Sequence, residues 1–491
     1  MIIFKPRYPY FFLGTLILLV ELLSFTAYFL PEIQIYLLAA SFLAAFLLSL
    51  SSLKLGLALA LVELVIGSKG HLFSADVFGF SLSLRLVVWA ALMLASLIFI
   101  IRQGFLNSWR QSGRSYYFWL PLLAFSAFII LAFIQGLVRG HSLGDIFSDG
   151  NAWLFLSLII PLLLAGGIRE EADRQVFLKI FFLASIFLSL KTLILLFIFS
   201  HNLNFMPDVY LWVRRSGVGE ITAMGGGWQR IFIQSQIYAP IAFFLTLWPL
   251  ILKKVENKKE FFWALAKLSL FLAVIIISMS RSFWLGFGLS ALIIGVLCCR
   301  RTWAFYRRAL LYSLGSLLGA ALIIIVVVKF PFPDPQAGLS AEALAARLEL
   351  SSGEAALASR WALLPNLWQE IKKAPFLGQG FGATVGYYSQ DPRVLAQSPD
   401  GWYRSYAFEW AYLDTWLKMG ILGLAVYLAW IFSLLLLLLR EAFLKSSAFA
   451  WSLAASLLFL IIVNIFTPYL NHPLGLGFLL FCSCFIKKNP L

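Results

Sequence analysis

The chain has 491 residues, 61% of them hydrophobic and 12% charged, and its mean hydropathy of +0.89 excludes an ordinary soluble protein. The formal charge of +15 invites a nucleic-acid partner, but 21 of the 38 lysines and arginines sit in short loops on one side, the bias that orients membrane proteins. Cys298, Cys299, Cys482 and Cys484 lie in or at the ends of apolar runs, and His71, His141, His201 and His472 are scattered, so neither a disulfide framework nor a metal or other cofactor is expected.

Apolar runs near the length that crosses a bilayer recur from Phe11 onward, which predicts an all-α polytopic membrane protein rather than a β-barrel. The first run is too long for the core of a cleavable signal peptide. In chain order the runs cover 11–30, 34–50, 55–67, 84–101, 117–136, 152–167, 176–199, 237–252, 263–280, 282–299, 309–329, 416–439, 448–467 and 472–486. They make about 14 segments, of which the third, sixth and last are short enough to be tilted or re-entrant, so 12–14 crossings are expected. With Lys5 and Arg7 inside, the clusters Arg102/Arg110/Arg114, Lys253/Lys254/Lys258/Lys259, Arg300/Arg301/Arg307/Arg308 and Lys487/Lys488 fall inside in turn. Glu21, Glu63, Lys191 and Lys267 are embedded in or near these runs, where they either pair or mark a path for a proton or solute. No internal repeat and no linker is visible, so residues 1–491 read as a single membrane domain.

Two loops then lie outside. Residues 200–236 hold Arg214, Arg215, Glu220, Gly225-Gly226-Gly227 and Arg230. The second, 330–414, is the one long polar interruption in the chain. Helices are expected there over 341–350 and 354–373, the latter with Trp361, Leu364, Leu367, Trp368 and Ile371 at helical spacing. Such a helix lies on the membrane surface, caps a cavity, or simply packs.

Guanidinium groups suit phosphate and pyrophosphate because they are permanently charged bidentate donors. Arg230, Arg281 and Arg360 stand at the outer ends of apolar runs or in the long loop, and the bland alternative for each is snorkelling to the interface. Arg404 lies in the same loop. The external acids are Asp391, Asp400, Glu409 and Asp414; Glu409, among aromatic residues, suits a general base or a partner for a helix N-terminus. Gly378, Gly380 and Gly382 lack the strand–turn–helix context of a dinucleotide loop and read as a tight turn whose amides could approach a ligand. No Asp-x-Asp pair lies on that side, which disfavours a metal-held sugar nucleotide.

Four segments together resemble the O-antigen ligase/polymerase superfamily. Ser-Met-Ser-Arg281-Ser-Phe-Trp-Leu-Gly-Phe is similar to its Ser-Arg-Ser/Gly hairpin. Arg360-Trp361 with the turn Pro375-Phe-Leu-Gly-Gln-Gly-Phe-Gly382 resembles its arginine helix and glycine turn. Lys418-Met-Gly420-Ile-Leu-Gly423 resembles the helix after its histidine, and Gln229-Arg230-Ile-Phe-Ile-Gln resembles the segment before its middle helices. The similar stretch runs over 225–424, and the position eleven residues before Gly420, where the family has histidine, is Glu409.

The resemblance implies a bacterial cytoplasmic-membrane enzyme with its active site facing outside. It would move a glycan from undecaprenyl pyrophosphate to a lipid, a growing glycan or a protein, without a metal. It implies that Arg230 and Arg360 grip pyrophosphate, that Arg281 supports the site or is structural, and that either Glu409 or another residue replaces histidine as base; Arg281, Arg404 and the three glycines are candidates for binding substrate. Membrane lipids are expected partners and nucleic acid is not. The alternatives are a transporter or flippase of lipid-linked glycans and a scaffold that has lost its chemistry.

Overall fold

The computed structural model describes residues 9–77, 80–112, 116–157, 159–165, 171–224, 228–253, 257–298, 301–335, 355–389, 392–396 and 398–485; the helix expected over 341–350 lies outside them. In chain order the first helices are α1 (Pro9–Phe29), α2 (Gln34–Ser51), α3 (Leu53–Ile66), α4 (Leu84–Gln103), α5 (Phe105–Ser112), α6 (Tyr116–Val138), α7 (Leu143–Ser157) and α8 (Ile159–Ala165). Next come α9 (Glu171–Ser200), α10 (Met206–Arg215), α11 (Tyr238–Leu252), α12 (Lys258–Ile277), α13 (Arg281–Leu297) and α14 (Trp303–Val328). The last are α15 (Ala355–Lys373), α16 (Pro392–Leu395), α17 (Ala411–Lys445), α18 (Ala448–Val463) and α19 (Pro473–Phe485).

All fourteen apolar runs fall on helices, and among the described residues ten helices are long and apolar enough to cross a membrane. α13, α18 and α19 are shorter apolar helices, and α3 has 14 residues. This is an all-α polytopic membrane protein. Three antiparallel hairpins interrupt it: β1 (Ser74–Val77) with β2 (Phe80–Ser83), β3 (Glu220–Ala223) with β4 (Gln229–Phe232), and β5 (Val385–Tyr388) with β6 (Trp402–Ser405). Each is too short to show an alternating pattern, so none was legible in the sequence.

α7 starts well before the expected run at 152, giving a candidate span of Leu143–Ala165. Asp145, Ser148, Asp149 and Asn151 break the apolar pattern there, yet Asp149 is buried. Leucines on α14 (Leu310, Leu314, Leu318, Leu322) stay exposed in a row at helical spacing, as expected where lipid replaces water.

Where the sequence reads as one membrane domain, the helices gather into two compact units. The first comprises Met1–Ser112, Pro161–Arg347 and Glu441–Phe459; the second comprises Gly113–Ile160, Leu348–Arg440 and Leu460–Leu491. In the first, α2, α3 and α4 pack together, α9 touches α1, α3, α11, α12 and α14, and α12 lies along α11 and α14. In the second, α7 packs on α6 and α19, and α15 packs on β5.

Candidate functional site

In the second unit, α15 is amphipathic. It buries Leu363, Leu367 and Ile371 against Ala383, Val385, Phe408 and Leu417, which fixes the helix over the β5–β6 hairpin and the start of α17. The buried stripe is rotated from the one expected, because Trp361 and Trp368 lie outside it, 58% and 42% exposed. They are held edge-on by Trp410 and Trp416, at centroid distances of 5.6 and 5.4 Å.

This packing brings Arg360 to Glu409. The guanidinium meets the carboxylate with both edges, Nε to Oε2 and a terminal nitrogen to Oε1 at 2.8 Å. The indole of Trp410 donates to the Arg360 carbonyl at 3.1 Å, and the Ser359 and Ser389 hydroxyls meet at 3.0 Å, so the backbone on both sides is held. The two side chains remain 36% and 50% exposed. At such exposure an ion pair contributes little stability, so its planar two-point geometry, open to a ligand, is its more telling property. Arg404, opposite Gly386 in the hairpin, donates to the Thr384 hydroxyl at 2.6 Å and is exposed.

The three glycines have another part. Gly378, Gly380 and Gly382 all have positive φ, which favours glycine. The five amides from Gly378 to Gly382 donate within the chain: to Ala374 O, Leu417 O, Lys418 O, Ala132 O and Asp149 Oδ2. α17 is broken at Gly420 (φ 69°), and the amides of Ile421 and Leu422 turn to the carbonyls of Pro375 and Phe376 at 2.9 and 3.3 Å. The glycine turn thus satisfies backbone groups freed by a break in an apolar helix, where an unpaired group would be costly. The turn's amide donors are engaged by protein rather than left open to a ligand.

Sequence reasoning missed the charges beneath this turn. Lys418, 2% exposed, is held by Asp149 and by Asp414, the latter at 2.6 Å, and Asn471 donates to Asp414 at 3.2 Å. Asp149 also accepts the Gly382 amide at 2.9 Å. The available signal was an aspartate and a lysine within otherwise apolar stretches, since such groups in a membrane helix require partners. Asp414, expected among the external acids, is instead buried in this cluster.

In the first unit, Arg230 sits on β4 opposite Thr222. Its Nε donates to the Ser278 carbonyl at 3.0 Å, and its guanidinium lies 4.8 Å from the Phe232 ring centroid. Ser278 begins the turn in which Met279 takes a left-handed φ of 46° and after which Arg281 opens α13. The structure therefore brings Arg230 to the turn that carries Arg281, and Arg360 to Glu409. Of the embedded charges, Glu21 takes Lys191 with both oxygens at 2.7 Å, and Glu63 takes Arg85 at 3.0 Å.

Residues 266–428 match the O-antigen ligase family model. The match supports the O-antigen ligase/polymerase superfamily for this stretch. The matched region contains Arg281, Arg360, Gly378, Gly380, Gly382, Arg404 and Glu409, whereas Arg230 precedes it. The family is one of glycosyltransferase-like membrane enzymes working on lipid-linked glycans. Comparison with curated proteins finds no match.

Proposed function

We propose that this protein transfers a glycan from a polyprenyl pyrophosphate, in bacteria undecaprenyl pyrophosphate, to the hydroxyl of a lipid, glycan or protein acceptor at the outer face of the cytoplasmic membrane. The observation that carries this reading is the Arg360–Glu409 pair. Two residues far apart in the family-matched region meet, exposed, in a two-point geometry that stability alone does not require.

The reaction inverts the sugar. The acceptor hydroxyl gives its proton to the Glu409 carboxylate, and its oxygen attacks the anomeric carbon from the face opposite the leaving group. The bond from that carbon to the pyrophosphate oxygen breaks, and the electron pair leaves on the polyprenyl pyrophosphate. Arg360 meets the growing charge, and charge neutralisation with positioning supplies most of the rate. A donor phosphate that draws Arg360 away also frees Glu409 to act as base. Arg230, Arg281 and Arg404 are assigned to donor binding from the resemblance and their charge; the glycine turn supports the site through its backbone.

The test is release of polyprenyl pyrophosphate by the purified protein given lipid-linked glycan and candidate acceptors. Arg360→Ala and Glu409→Gln should each lower the rate by about 100-fold or more while leaving the melting temperature nearly unchanged. Wild-type rates from both variants would overturn the mechanism. Translocation of the lipid-linked glycan without any release would favour a flippase.

A further inference from the structure

We propose that the first unit holds a second lipid site: a cavity that takes the phosphate of an anionic glycerophospholipid, read by Arg174, Lys179 and Lys267. This site does not depend on the glycosyl-transfer reading.

The cavity has a volume of about 310 Å³ and is formed by α9, α11 and α18. Arg174 and Lys179 line it from the first turns of α9; Phe182, Leu245, Pro249 and Phe449 supply an apolar wall. Arg174 and Lys179 precede Phe182 along the helix, so the charges sit nearer the helix end and the wall runs deeper. That division matches a phospholipid, whose phosphate lies at the interface and whose chains continue into hydrocarbon. A free phosphate would have no use for the apolar wall.

Lys267 adds an independent observation. It lies within the span Lys258–Ile277, about 13 Å from the start of the helix at 1.5 Å per residue. Its ammonium stands 5.6 Å from the centroid of Phe182, one of the residues lining the cavity. Arg85, Lys191 and Lys418, the buried cations described above, each hold a carboxylate. Among the described residues Lys267 holds none. A cation in a membrane helix without a protein anion calls for an anion from elsewhere, and its flexible stem can lift the ammonium toward the headgroup level.

The surroundings point the same way. α11 ends beside the exposed Lys253, and α12 begins with the exposed Lys258 and Lys259, close in sequence to the Pro249 end of the cavity. Basic pockets between membrane helices near such clusters suit anionic headgroups. A zwitterionic lipid carries its own cation and would gain less from three protein cations.

The experiment uses the purified full-length protein, stripped of lipid in mild detergent, with melting temperature and native mass spectrometry as readouts. The probes are phosphatidylglycerol, phosphatidylcholine and inorganic phosphate. Phosphatidylglycerol should raise the melting temperature and remain bound, whereas phosphatidylcholine and inorganic phosphate at equal concentration should not. Lys267→Met should weaken phosphatidylglycerol binding about fivefold, and Lys267→Arg should keep it. Lys179→Gln, at an exposed position, should give a similar loss without risk to folding. Equal binding of the two lipids would overturn the proposal, as would wild-type phosphatidylglycerol affinity in both Lys267→Met and Lys179→Gln. An equal response to inorganic phosphate would reassign the cavity to a free anion.

Discussion

Arg360 and Lys418 are both cations of the second unit, yet burial gives them opposite tasks. Arg360 and its partner are exposed enough that breaking the pair should barely move stability. Lys418 is enclosed with two aspartates, so Lys418→Met would leave Asp149 and Asp414 facing each other without a cation. We expect that variant to lose about 3–5 kcal/mol, seen as a large fall in melting temperature in detergent. His71, outside the spans, offers a pH handle. Burial first, and then the charge of Arg85, hold its imidazole below the usual range near 6.5. The folded state therefore binds this proton less readily than the unfolded chain, and stability present above about pH 6.5 is lost as pH falls through the folded value. Melting temperatures between pH 7.5 and 5 should fall less steeply in His71→Gln than in wild type.

At the scale of elements, the glycine turn and the break in α17 form one device. A Cβ at Gly380 would strike the backbone of Gly136 and Ala132, and one at Gly420 would strike the backbone of Phe376. Because the obstacles are backbone and both φ values are positive, neither site can relax by moving a side chain. Gly380→Ala and Gly420→Ala should each destabilise by about 2 kcal/mol or more, and Gly288→Ala, with open space around it, should be neutral in the same thermal assay. The glycines stood out in the sequence as a turn, but their carbonyl partners, Ala132, Leu417 and Lys418, lie far along the chain. No local pattern names such partners. The rotated face of α15 has a similar cause: leucine and tryptophan both count as apolar, and only the neighbouring strand and helix decide which of them is covered.

For the whole molecule, the question raised by the embedded charges was whether they pair or line a path. Glu21 with Lys191, on helices distant in sequence, and Glu63 with Arg85, on the successive helices α3 and α4, are direct ion pairs. A structural pair can be removed as a unit more easily than broken. Lys191→Met alone should destabilise strongly, while Glu21→Gln with Lys191→Met should recover most of the loss and retain wild-type glycan transfer. A double variant with restored stability but no activity would show that the pair does more than hold α1 to α9.

The sequence by itself determined the class, the places of the apolar helices and the family resemblance. Hydrophobic runs of bilayer length are a one-dimensional property, and the quoted motifs are contiguous strings that agree with the family match. Arg360 and Glu409 were legible as candidates because charged residues beside apolar helices are conspicuous. Tertiary structure alone decided that these two meet, that Asp149 and Asp414 enclose Lys418, and that the glycine turn serves the broken helix. Each of those outcomes joins residues far apart in the chain, save that Asp414 and Lys418 are four residues apart on one helix. Pairing in a low-dielectric interior depends on distance in space, which packing sets and no local spacing encodes.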